Sequence, residues 1–189
     1  VAADDVLVDA AVTATSGVLT ITADSDDSGA GNVTVTTVGL AGDDVVISGQ
    51  AVTVVAVTAD DGSVSILADG LLTTNGLVQA TAAAGSVTAA AGSMDINLGV
   101  TAGTNGDVTL TSTGAIDTTG GALTAGNDVV VNAGTTLILA GVTADSDSST
   151  AGSVTAVSSG LVTLNGAVSG ATVNAESTVG SVAVNNTIT

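Results

Sequence analysis

The chain has 189 residues and a formal charge of −18, with no Lys, Arg, His, Cys, Pro, Phe, Trp or Tyr. This excludes side-chain ion pairs and disulfides, and it excludes nucleic-acid binding, which needs Lys and Arg to displace counterions. It also sets the chain against anionic membrane surfaces, and no apolar run reaches the length of a membrane span.

An acidic tail is excluded as well, because 45% of the residues are apolar and the mean hydropathy is +0.65, too high for a disordered polyanion. The first residue is Val1 and no signal peptide is visible, so the chain reads as a processed product or a segment of something longer. Without Lys, Arg or aromatic residues it offers no trypsin sites and none of the usual chymotrypsin sites, which points to survival outside the cell or at its surface. Divalent cations are the natural compensating partner for so much negative charge.

From Val1 to Gly62 the pattern is least regular. Strand-like runs of β-branched residues occur at Val6-Leu7-Val8, Val18-Leu19-Thr20-Ile21, Val33-Thr34-Val35, Val45-Val46-Ile47 and Val52 to Val57, separated by Gly-rich turns. The openings at Asn32 and Asp44 stand closer together than any later pair.

From Ser63 to Gly180 a repeat is clear. The opening Gly62-Ser63-Val64-Ser65 returns at Ser86, Asp107, Asp128 and Ser153, and again as Gly180-Ser181-Val182-Ala183. Thirteen residues after each of the first five starts stands a glycine: Gly76, Gly99, Gly120, Gly141 and Gly166. Strand-like runs phased this way are the signature of a solenoid.

All length variation falls after the offset glycine, so every insertion belongs at one corner of the cross-section. An extra residue inside a stacked strand would turn its inward set outward. The inward candidates are Val87, Met94, Ile96, Leu98, Val108, Leu110, Ile116, Val129, Val131, Leu137, Leu139, Val154, Val157, Leu161 and Leu164. Asn-Gly at 75–76, 105–106 and 165–166 offers the φ > 0 that tight corners take. Residues 22–33 and 143–154 match at nearly every position and Thr58 to Val64 is a shortened version, which reads as one corner loop used three times.

The expectation is one all-β domain over 1–189, a parallel β-solenoid of eight or nine coils, each of about 21 residues. Coils are irregular over 1–62, regular over 63–180 and partial over 181–189. The alternative is a Greek-key β-sandwich.

Phased Gly-(Ser/Asp/Asn)-Val-Thr coils with Thr-Ala-Asp-Ser-Asp loops resemble the repeat regions of large secreted exoproteins of the filamentous-haemagglutinin type, over about Asp44 to Val184. The resemblance implies a right-handed parallel β-helix acting as the shaft of a surface adhesin or fibre. The secretion domain of that family is not evident in these residues.

Catalysis is not expected. The chain has no His, Cys, Lys, Tyr or Arg to serve as base, thiol nucleophile or oxyanion clamp. Two carboxylates suffice for a glycosidase, but no aromatic platform exists to hold a sugar.

Calcium is the better chemical hypothesis, because Ca²⁺ takes carboxylate and carbonyl oxygens. The candidate ligands are Asp24, Asp26 and Asp27 in one loop, Asp145 and Asp147 in another, and the pair Asp60 and Asp61. The EF-hand position-12 Glu and the Gly-Gly-x-Gly-x-Asp nonapeptide of calcium β-rolls are both missing, and solvated acidic turns are the plain alternative. Thr-x-Thr pairs (Thr20/Thr22, Thr34/Thr36, Thr109/Thr111) raise ice binding but do not recur at one coil offset. Asn32-Val33-Thr34 and Asn185-Asn186-Thr187 match glycosylation sequons.

Two functional classes remain open. The first is a non-enzymatic structural subunit or shaft of a protease-resistant extracellular filament, with copies stacked head to tail or the chain continuing in a longer parent. The second is an adhesin-type module whose acidic corner loops engage a surface glycan, with calcium as a partner. No cofactor is required by either, and neither inserts into a membrane.

Overall fold

The computed structural model describes residues 4–24, 29–146 and 152–189. Every strand pairing among them is parallel, which excludes the Greek-key sandwich, whose neighbouring strands run antiparallel. The chain winds as a β-solenoid with three faces, visited in a fixed order.

The first face stacks Val18–Thr22, Asp44–Gly49, the opening of Val64–Thr74, the opening of Val87–Ile96, Val108–Ser112, Val129–Ala133, Ser153–Ser158 and Thr172–Ser177. The second face runs from Val6–Val8 through Val33–Val35, Val52–Val54, Ile116–Asp117, Leu137–Leu139 and Val162–Leu164 to Val182–Val184. The long strands Val64–Thr74 and Val87–Ile96 turn the corner and supply rungs to both faces. The third face is a separate sheet of eight short strands, from Val12–Thr13 to Val168–Ser169, extended by a bridge to Ile188.

On the first face Leu19, Val45, Val64, Val87, Val108, Val129, Val154 and Val173 share one register column. They bound seven complete turns, flanked by partial coils, where eight or nine coils were expected. The longest turn runs from Leu19 to Val45, and the shortest run from Val45 to Val64 and from Val154 to Val173. The phase from Ser63 to Ser153 holds. Two expected starts do not. Val33 pairs with Val52, and Val182 with Val162, so Asn32 and Ser181 open second-face strands. The turn after Ser153 starts at Thr172.

Alternate residues of each strand point inward and form one core cluster of Val, Leu, Ile, Ala and a single Met. The second-face column Leu72, Met94, Ile116, Leu137 and Val162 meets the third-face column Val78, Val100, Leu123, Val142 and Val168 across a narrow interior. Each fully buried Val or Leu contributes roughly 1.5–3 kcal/mol. Of the expected inward set, Leu98 and Leu161 are 49% and 41% exposed, and Val157 is half-buried. In the last case the inward set is Val154, Ala156 and Ser158, so Val157 falls on the outer face of its own strand.

The five offset glycines all lie at the corner between the second and third faces, as their common spacing predicts. Their reason differs from the one expected. Among the described glycines only Gly17 and Gly29 have positive φ. A Cβ on Gly76 would stand 1.3 Å from the Val55 carbonyl oxygen, and one on Gly166 would stand 1.2 Å from that of Ala140. The rung below occupies the space at these two and at Gly120, so close stacking and not φ demands glycine there, whereas a Cβ on Gly141 would stand 3.5 Å from the Ala167 carbonyl oxygen, an ordinary contact.

From Val57 onward, the corner between the third and first faces absorbs most of the length variation. The step from the third-face column to the first is longest between Val142 and Val154 and shortest between Val168 and Val173. The excursion after Thr22 is the exception, since it joins the first face to the second.

Candidate functional site

The acidic residues divide into two kinds. One kind is built into the stack. At the corner leading onto the first face, from Asp44 to Ser153, the coil-opening residue accepts a hydrogen bond from the next rung's backbone. Ser63 N–H donates to Asp44 Oδ1 at 2.7 Å, Ser86 N–H to Ser63 Oγ at 3.1 Å, and Asp107 N–H to Ser86 Oγ at 3.0 Å. The ladder continues with Asp128 N–H to Asp107 Oδ1 at 3.0 Å and Ser153 N–H to Asp128 Oδ1 at 2.7 Å. Asn127 Nδ2 and Ser153 Oγ add further donors to the two carboxylates.

This explains why the opening is Ser or Asp. Corner N–H groups have no strand partner and must be satisfied by a short acceptor side chain. The recurring Gly-(Ser/Asp)-Val was legible in the sequence, but the carboxylates of Asp44, Asp107 and Asp128 were not recognised as ladder acceptors. The same device explains the misplaced start at Asn32. Asp5 Oδ1 accepts from Asn32 N–H, and Asn32 Oδ1 accepts from Ala51 N–H, on the second face. The Asn32 sequon side chain is therefore held in the stack, with its Nδ2 also donating to Asp5.

The other kind sits in the excursions. Asp24 and Asp145 occupy equivalent points of the two matching segments and share the left-handed conformation, with φ of 56° and 57°. Asp accepts this conformation more readily than most residues. Asp24 also accepts from Gly29 N–H through both carboxylate oxygens. The neck of each excursion is closed, since a Cβ on Gly31 would stand 2.1 Å from Asp24 N and one on Gly152 would stand 2.5 Å from Asp145 N. Asp60 and Asp61 are exposed, with Asp60 N–H bonded to the Gly42 carbonyl and Thr81 Oγ1 to the Asp60 carbonyl.

These segments do not form one site. Asp24 lies at the corner between the first and second faces, whereas Asp60, Asp61 and Asp145 lie between the third and first, so the expected single corner becomes two. Asp60 and Asp145 precede rungs four steps apart (Val64 to Val154), about 19 Å at ~4.8 Å per rung. Asp26, Asp27 and Asp147 lie outside the described residues. Among the described residues no three acids converge as a metal-holding group.

The Thr-x-Thr pairs at Thr20 and Thr109 fall in one first-face column, but Val46, Ser65 and Val130 interrupt it. No protein-family model, curated protein or solved structure matches the chain.

Proposed function

We propose that this chain is a non-enzymatic structural module, a subunit or shaft of a protease-resistant filament outside the cell or at its surface. The reading rests on the two ends of the described stack. Val182, Val184 and Ile188 occupy inward register positions yet are 40%, 47% and 44% exposed, because no rung covers them. At the other end Val6, Val8, Val12 and Leu19 pack on the core but are only partly buried. Each end presents aliphatic side chains and unpaired strand edges on all three faces, and such edges pair with further strands. A further rung, from another copy or from more of the same chain, would cover these positions and extend the rod.

The second reading is an adhesin-type module. It is favoured by the closed neck at Asp24 and Gly31, which lets a loop be carried while the strands on either side keep their pairing. Calcium in the loops holding Asp24, Asp26, Asp27, Asp145 and Asp147, or beside Asp60 and Asp61, would serve either reading by offsetting the charge of −18.

The test is electron microscopy of the purified chain with and without millimolar calcium. Filaments with an axial repeat near ~4.8 Å support the structural reading, and their loss on chelation would place the cation in assembly. Short monodisperse rods under both conditions would overturn self-assembly, and glycan binding by those rods would favour the adhesin.

A further inference from the structure

We propose that the third face is a lateral docking surface for a second copy of this chain, with the two rods parallel. The proposal goes beyond end-to-end growth and does not depend on it.

Charge distribution is the first ground. Among the described residues the first-face strands carry Asp44 and Glu176, the second-face rungs carry Asp95 and Asp117, and Asp69 stands where those two faces meet. The third-face strands carry no carboxylate. Two bodies of charge −18 repel, and they can approach only where the charge is thinnest.

Surface shape is the second ground. Two outward columns cover the third face. One contains Thr13, Thr58, Thr101, Thr124 and Thr143, interrupted by Ala41 and Gln79. The other contains Gly39, Ala56, Gly99, Ala122, Gly141 and Ala167. Its one large member, Leu77, lies along the face, with Cδ1 3.6 Å from where a Cβ on Gly99 would stand. Gln79 Nε2 donates to Thr58 Oγ1 at 3.2 Å, so this pair is satisfied within the face and tolerates loss of water.

A second copy fits this surface better in one orientation. A two-fold axis along the rods sets the Thr column of each copy against the Gly/Ala column of the other, large against small. It also keeps apart the acid-lined edges that hold Asp43, Asp60, Asp61 and Asp145. An antiparallel pair would set Thr against Thr and acidic edge against acidic edge.

Eight intervals of ~4.8 Å and two columns about 6.6 Å apart give a face of about 38 by 12 Å. The pair then buries about 900 Å², just below the ~1,000 Å² of a stable specific interface. Pairing of single rods is therefore weak, strengthens as rods lengthen, and increases with salt as repulsion is screened.

Sedimentation of the full chain from micromolar to millimolar concentration, at low and at ~0.5 M salt, tests this. The expected result is concentration-dependent doubling of mass that salt promotes. Thr101→Asp with Thr124→Asp should abolish it, whereas Thr88→Asp with Thr109→Asp, adding the same charge to the first face, should leave it intact. Circular dichroism and melting confirm that each variant is folded. A single-rod mass at every concentration, doubling that salt weakens, or equal loss in both double variants would overturn the proposal. Mixed Ala122→Cys and Thr124→Cys chains should cross-link to each other under mild oxidation, and cross-linking of like with like would overturn the parallel orientation.

Discussion

Residues 22–33 and 143–154 are nearly the same sequence in two different places. Both enter through Thr-Ala, turn at an Asp with φ near +57°, close on a Gly, and leave through Asn or Ser followed by Val. One carries the chain from the first face to the second, and the other from the third to the first. The neck is thus a self-contained unit whose geometry is local, while its address on the solenoid is not. What its last residues recognise is the neighbouring rung. Asn32 is received by Asp5, and Ser153 by Asp128.

If the two necks are equivalent, breaking them should cost the same. Gly31→Ala and Gly152→Ala each force a Cβ into backbone and should destabilise by about 3 kcal/mol or more in denaturant unfolding. A large loss in only one would show that the necks are alike in sequence alone.

The receiving acid is the next test. Asp128→Ala strands the N–H and Oγ of Ser153 and should cost about 2 kcal/mol, with Asp128→Ser recovering most of it, as the Ser63 and Ser86 rungs already demonstrate.

Among the described residues, the stack proper contains one buried hydroxyl that lacks a partner. Thr74 Oγ1 is buried without a hydrogen-bond partner, in an inward column between Val54 and Ile96. Thr74→Val should raise stability by about 1 kcal/mol, read as a higher midpoint of unfolding.

The smallest effect is expected from shortening an excursion. Replacing residues 145–152 by Asp-Asp-Gly, the version that links Ala59 to Ser63, should change stability by no more than about 0.6 kcal/mol. A larger loss would mean that the excursion supports the stack and is not merely carried by it.

Much of the fold was legible because a solenoid repeats its local chemistry. The Ser63, Ser86, Asp107, Asp128 and Ser153 starts each sit where the same N–H needs the same short acceptor. Gly76, Gly99, Gly120, Gly141 and Gly166 all fall at one corner. The Asn32 and Ser181 openings misled because an identical opening can introduce either the first or the second face. Leu98 and Leu161 misled because hydrophobicity does not say which side of a corner a residue occupies.

The acidic residues were legible as a group but not by role. Nothing in Asp128 taken alone separates a carboxylate that receives the next coil from one such as Asp61 that faces water.

The sequence by itself determined that this chain is β, repetitive, acidic, narrow-cored and without the usual catalytic side chains. These properties follow from residue type and period, which act over short stretches of chain. Only the tertiary structure decided which face each strand joins, which aliphatics point inward, why particular glycines cannot be replaced, and which face lacks charge. Each of those depends on a rung one full coil away in the chain, and the length of every corner between must be known before that neighbour can be identified.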